Sequence, residues 1–257
     1  MSKSNPGVLI LTAIFFLCFG LQTINAVEDK VSIEGKTMGF PTIQQAIDNA
    51  AEGDTVLVSP GEYNENLIVN VKGVKIKSVE KHVASIIGDE ESPTITITAD
   101  EVELDGFIIK GSGEGLLLVE EKKNIVISNN IFDGEGMEGR EVWGINIHLA
   151  ELEIKNNLIT HLTGTGLLIM EPRGIFKLVE NEIFENYLGM DFFLTEEGTE
   201  LDFSYNVFED NYMHFSFNDP PLFDVDSFLR GNIFVDHYHL NFNEFKGKWE
   251  MVPCDHH

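Results

Sequence analysis

A carboxylate and an imidazole recur 23 residues apart in two short alternating segments, GMDFFL (189–194) and YMHFSF (212–217). If such segments stack with Ile145, Leu167, Met190 and Met213 pointing inward, the next residues form an outward column of Leu117, Asn146, Leu168, Asp191, His214 and Asn241. Two residues on, a second column holds Val119, His148, Met170, Phe193, Ser216 and Asn243. Asp191 and His214 would then sit about 5 Å apart at Cα, the spacing of adjacent strands. A carboxylate in that position orients an imidazole and raises its pKa, as a general base requires. His148 would be a third catalytic candidate, two or three layers away. Asn146 and Asn241 could hold sugar hydroxyls, and Phe193, with Leu168 and Met170, could stack on a sugar ring. The competing reading is an ordinary polar outer face. These columns contain no arginine or lysine to neutralise a uronate, which counts against a lyase.

A second group of candidates suits a metal. DHYHL (236–240) places His237 and His239 on one side of a strand, and the chain ends in CDHH. Cysteine and histidine are ligands for zinc or copper. The spacing is loose, and no CxxC or HExxH motif accompanies it.

The stacking assumption rests on a repeat. Asparagines at 130, 157, 181, 206 and 232 are each followed, directly or after one residue, by an apolar pair, at intervals of 27, 24, 25 and 26 residues. Three short strands surround each one, and no repeat contains a helix or a leucine lattice. A 20–30-residue period of this kind marks a solenoid, and three strands per unit imply an all-β, single-stranded parallel β-helix. In such a fold the asparagines stack, and each can bond the backbone of its own turn and of the next. Phe107 holds the equivalent place one coil earlier, and Phe132, Phe184, Phe208 and Phe234 are expected to form one interior column. Roughly seven or eight coils fit between residues 54 and 245.

Before them, FPTIQQAIDNAAEGDTV (40–56) reads as one helix. Thr42 and Gln45 suggest a capping box, Ile43, Ala46, Ile47 and Ala50 an apolar stripe, and Gly53 a left-handed cap. Residues 27–53 are thus expected to close the N-terminal end, and residues 246–257 form a tail that could fold over the other end. Residues 1–26, with an apolar run at 8–20 followed by LQTINA, which ends on the small residue Ala26, read as a cleaved secretory signal peptide. A secreted protein with no stable membrane span is the expectation.

The chain has 43 acidic and 17 basic residues, a net charge of −26. That argues against nucleic acid as a partner. It also disfavours bare polyuronides unless a cation such as Ca²⁺ bridges acid to acid.

TIQQAIDNAAEGDTVLVSPGEYNENLIV (42–69), followed by VKIKSVE, resembles the opening of the pectin lyase-like right-handed β-helix superfamily. It looks most like the branch with the NosD proteins and the right-handed β-helix repeat proteins. The resemblance implies the fold strongly and an activity weakly, because the superfamily hosts several reactions and proteins with none. MDFFL (190–194) is a faint echo of one methylesterase segment, and the other methylesterase and polygalacturonase signatures are absent. Arg140, Arg173 and Arg230 do not match the arginine base of pectate lyases. Arg140 falls in the longest loop, DGEGMEGREVWG (133–144). The expectation is a non-catalytic module binding polysaccharide or a cell-surface glycan. The alternatives are a divergent lyase or hydrolase using the Asp191/His214 face, and a NosD-like metal-associated protein.

Overall fold

The computed structural model describes residues 30–89, 91–111, 115–136, 141–194, 197–218, 222–235 and 238–253. The expected signal segment, Arg140, His237 and the terminal CDHH lie outside the described residues.

Alternating strands with one apolar face cannot remain single in water, and here they bury that face by coiling. Seven complete coils run from Thr55–Val58, Gly61–Asn64 and Leu67–Val69 to Glu200–Ser204, Val207–Glu209 and Met213–Asn218. The three strands of each coil contribute one each to sheets A, B and C, and neighbouring coils pair in parallel. Equivalent residues therefore touch. One interior column of sheet C reads Leu117, Ile145, Leu167, Met190 and Phe215, all fully buried. Complete burial of each such side chain contributes roughly 1.5–3 kcal/mol.

The asparagines form the expected ladder at the corner between sheets A and B. Each Oδ1 accepts from the backbone N–H one coil earlier: Phe107 to Asn130 at 3.0 Å, Asn130 to Asn157 at 2.9 Å and Asn157 to Asn181 at 3.0 Å. Asn181 to Asn206 and Asn206 to Asn232 continue it at 3.0 and 2.9 Å. The Nδ2 groups donate to the next asparagine and to the carbonyl of the strand one coil back, as Asn181 does to Asn206 and Ile154. The residue before each inner rung, Asn129, Asn156, Glu180 or Tyr205, has φ between 55° and 60°. That left-handed bend costs a non-glycine residue about 1–2 kcal/mol, and the satisfied amides offset it. A second ladder, at the corner between sheets B and C, links Leu162 N–H to Asn186 Oδ1 at 3.1 Å and Asn186 N–H to Asn211 Oδ1 at 3.1 Å. The recurring Asn-Tyr pairs at 186–187 and 211–212 were its sequence signal.

One expected column differs. Phe132, Phe208 and Phe234 share an interior column, but its intervening members are Ile159 and Ile183. Phe184 lies three residues after its asparagine rather than two, so it points to the other face and meets His161 edge-on.

At the N-terminal end, α1 (Ile43–Asp48) buries Ile43, Ala46 and Ile47 on the first coil. Thr42 caps it by accepting from Gln45 N–H at 3.2 Å. The remaining exposed amides of Ile43 and Gln44 donate to the Glu65 carboxylate at 2.9 and 3.0 Å, a partner from the first coil. The helix ends at Asn49, four residues before Gly53. Strand Val31–Ile33 lies antiparallel on Thr55–Val58 and also pairs with Gly39–Phe40.

The C-terminal end is aromatic. A second helix, α2 (Val225–Gly231), lies against the last strand of sheet A and inserts Phe228 among Phe203, Phe208, Phe215 and Phe234. Residues 238–253 form a hairpin. Its second strand, Lys248–Pro253, pairs antiparallel with Met213–Asn218 and ends the parallel stacking.

Candidate functional site

The expected outward columns exist on sheet C, but in a different register. Leu118, Asn146, Leu168, Asp191 and Ser216 face one another in that order. The neighbouring column contains Glu120, His148, Met170 and Phe193. Leu117 and Val119 are interior residues, one position away from the outer columns.

Asp191 and His214 are not partners. Met213 aligns with Leu188, so the residue opposite Asp191 is Ser216, whose hydroxyl donates to the Asp191 carboxylate. His214 is fully buried. Its ring packs 6.4 Å from that of Phe208 and 5.8 Å from that of Phe234. The reason is steric. In the three preceding coils this position is Gly144, Gly166 and Gly189, where a Cβ would collide with the carbonyl of the next coil. His214 belongs to the last coil, and no parallel strand stacks on it. A side chain is therefore allowed there, and it folds into the aromatic end of the core.

A cation that the sequence columns lacked takes the place proposed for the imidazole. Lys248 reaches both Asp191 oxygens, at 3.0 and 2.8 Å, and its Nζ sits 3.7 Å from the centre of the Phe193 ring. Beyond it, Glu250 faces Ser216 and is itself faced by Asn241. Asn241 therefore shares the Asp191 column, as expected, but it arrives through an antiparallel hairpin and stands three strands away. Glu250 accepts from Lys246 at 3.0 Å and from Asn243 at 3.2 Å. The carboxylate of Glu250 holds the Lys246 pKa above its ordinary value. The signal for these cations was the alternation in KGKWEMV (246–252), which reads as a strand rather than a tail.

Toward the other end, His148 faces Glu120 across one strand spacing and lines a shallow cleft of about 270 Å³ with Thr96, Thr98, Leu118 and Lys122. Asn146 is two strands from Asp191 in the same column. The outer face thus runs along the axis from hydroxyls and His148, through Leu168 and Met170, to Phe193, Asp191 and Lys248. Polar side chains, then thioether and ring groups, follow one another there at the spacing of the coils, from Glu120 and His148 to Met170 and Phe193.

A further polar cluster went unnoticed in the sequence. On sheet B, Lys110 pairs with Asp133 at 2.7 Å. His161 bonds Asp133 through Nδ1 at 3.1 Å and Glu185 through Nε2 at 2.9 Å. Burial of the Asp133 carboxyl raises its pKa, but Lys110, the Glu135 amide and His161 outweigh this and hold it below the usual value. The two nitrogens of His161 face opposite ways, so the cluster is an extended chain of contacts rather than a chelate. Among the described residues no three His, Cys, Asp or Glu side chains are arranged to hold a metal. His239 faces Val252 within the hairpin.

Seven stacked coils with an asparagine ladder and an apolar interior define a parallel β-helix. Residues 62–240 match the family described as "Right handed beta helix region", and the chain belongs to that family. A cell surface glycoprotein of Methanothermus fervidus is 36% identical over 107 residues, which cover 41% of this chain and 18% of that protein. The chain therefore matches less than a fifth of that relative's length. Two crystal structures of pectin methylesterase with bound hexasaccharides are similar at 12% and 11% identity, with TM-scores of 0.42 and 0.43. Each comparison covers 84% of this chain and 82% of the other. Among the described residues no helix is long and apolar enough to cross a membrane.

Proposed function

We propose that the chain is a cell-surface β-helix module that binds an extended polysaccharide along the outer face of sheet C without cleaving it. The observation that carries this reading is the axial strip itself. Glu120 and His148 offer hydrogen-bonding groups, Met170 and Phe193 offer apolar surface, and successive positions in this column are one coil apart. A glycan chain lying along the axis presents hydroxyls and ring faces at a similar interval. The ion pair of Asp191 with Lys248 supports binding over catalysis, because it occupies the carboxylate that a general base would use. The cell surface glycoprotein relative supports exposure on a cell surface.

Plant, algal and bacterial polysaccharides arrayed on a surface would test it. Binding should fall at least tenfold in Phe193→Ala and Met170→Ala, and remain unchanged in Glu182→Ala on sheet B. Equal binding by all three variants would refute the assignment. Release of reducing or unsaturated ends, abolished by Asp191→Asn, would instead support an enzyme.

A further inference from the structure

Among the described residues, the coils stop in a way that leaves the last strand of sheet C uncovered. Sheets A and B finish at Glu200–Ser204 and Ile233–Phe234, whereas sheet C continues through Lys248–Pro253 to a last strand, Tyr238–Asn243. The register carries the interior columns outward: Phe215 faces Met251, which faces Leu240, and Phe217 faces Trp249, which faces Phe242. Met251 is fully buried, yet Tyr238, Leu240 and Phe242 remain 38%, 36% and 37% exposed. These are interior positions that extend past the interior. Exposed Ile233 and Val235 flank Phe234, whose ring lies 5.2 Å from that of Tyr238.

The edge also lacks the usual protection. Sheet edges recruit other strands, and proteins blunt them with charges, prolines or bulges. Residues 238–243 contain no Asp, Glu, Lys, Arg or Pro, in a chain of net charge −26. A like-charged copy of the chain meets little repulsion along this stretch. The opposite end of the solenoid is closed by α1 and two antiparallel strands, so stacking of one copy's tail on another's head is blocked.

The geometry points to a tail-to-tail dimer in which Tyr238–Asn243 pairs antiparallel with the same strand of a second copy. Directly opposed residues in an antiparallel pair share a face. The two-fold register that matches all three apolar residues sets Leu240 opposite Leu240, with Tyr238 opposite Phe242 on both sides of the axis. A shift of one residue would oppose apolar and polar side chains. A register centred on Asn241 would turn Tyr238 toward Glu244. In the matched register the uncovered interior columns of the two copies face each other, and their outer strips meet end to end.

Sedimentation velocity on the full chain tests this, with a reversible dimer expected. Leu240→Lys and Phe242→Lys should each raise the dimer dissociation constant at least tenfold with unchanged circular dichroism, whereas Glu182→Lys should not. A covalent test stands even if a lysine variant misfolds. In a chain carrying Cys18→Ser and Cys254→Ser, Leu240→Cys should form a disulfide-linked dimer. Opposed antiparallel residues lie about 4.5–5.5 Å apart at Cα, within disulfide reach. Glu182→Cys should not crosslink. A wild type that stays monomeric at the highest soluble concentration overturns the proposal. So does a dimer that survives both lysines, or one that Leu240→Cys fails to trap.

Discussion

Lys248 binds both carboxylate oxygens of Asp191 across 57 residues of sequence, and both side chains are largely shielded, at 16% and 14% exposure. Only the antiparallel return of the C-terminal hairpin brings them together. Shielding makes this pair worth more than a surface ion pair. A double-mutant cycle with Asp191→Asn and Lys248→Met should give a coupling of about 1–2 kcal/mol in urea unfolding. A coupling indistinguishable from zero would mean that the hairpin is not anchored at this point.

The fold was legible because its information is periodic. The asparagine interval fixed which residues stack, and the buried amides at 130, 157, 181, 206 and 232 lie in the expected ladder. The site was less legible because register within sheet C depends on the turn lengths between sheets, which no periodicity records. The alternation in YMHFSF points to Met213 as the inward residue, but Phe215 holds that place. That slip of two moves His214 from the place opposite Asp191 to the place opposite Gly189, the corner position at which its side chain turns into the core. Lys248 was hidden for a different reason: an antiparallel closing strand breaks the repeat that the rest of the chain obeys.

Asn181 is the central rung of the ladder. Its Oδ1 accepts from both the backbone and the side chain of Asn157, and its Nδ2 donates to Ile154, Val179 and Asn206. Removing it strands donors above and an acceptor below, each at about 1–3 kcal/mol. Asn181→Ala should therefore cost at least about 3 kcal/mol by chemical denaturation. Asn232→Ala, at the 8%-exposed end of the ladder, should cost less. Equal costs would argue that the rungs act independently of their position.

Asp133 makes stability depend on pH. Its folded-state pKa lies below the ordinary value, so its charged form is favoured in the native protein. The stabilisation is fully present above the unfolded carboxyl pKa, near 3.9, and is lost as pH falls through the lower folded value. Asp133→Asn should destabilise the protein by about 1–2 kcal/mol at neutral pH. The gap from wild type should close only in acid below pH ~4. A gap that stays constant from neutral pH down through that window would assign the loss to packing rather than to charge.

His214 separates the two readings of the outer face most directly. Its ring fills the end of the core against the stacked rings of Phe208 and Phe234, so truncation leaves a cavity. His214→Ala should cost about 2–4 kcal/mol, in the range of large-to-small core changes, and His214→Phe should recover part of that loss because it restores aromatic volume. Polysaccharide binding measured below the melting transition should be unchanged in both variants, since the side chain contributes nothing to the outer strip. If His214→Ala abolishes binding while the fold stays intact, the imidazole reaches the ligand, and the register of the last coil in solution differs from the one that buries it.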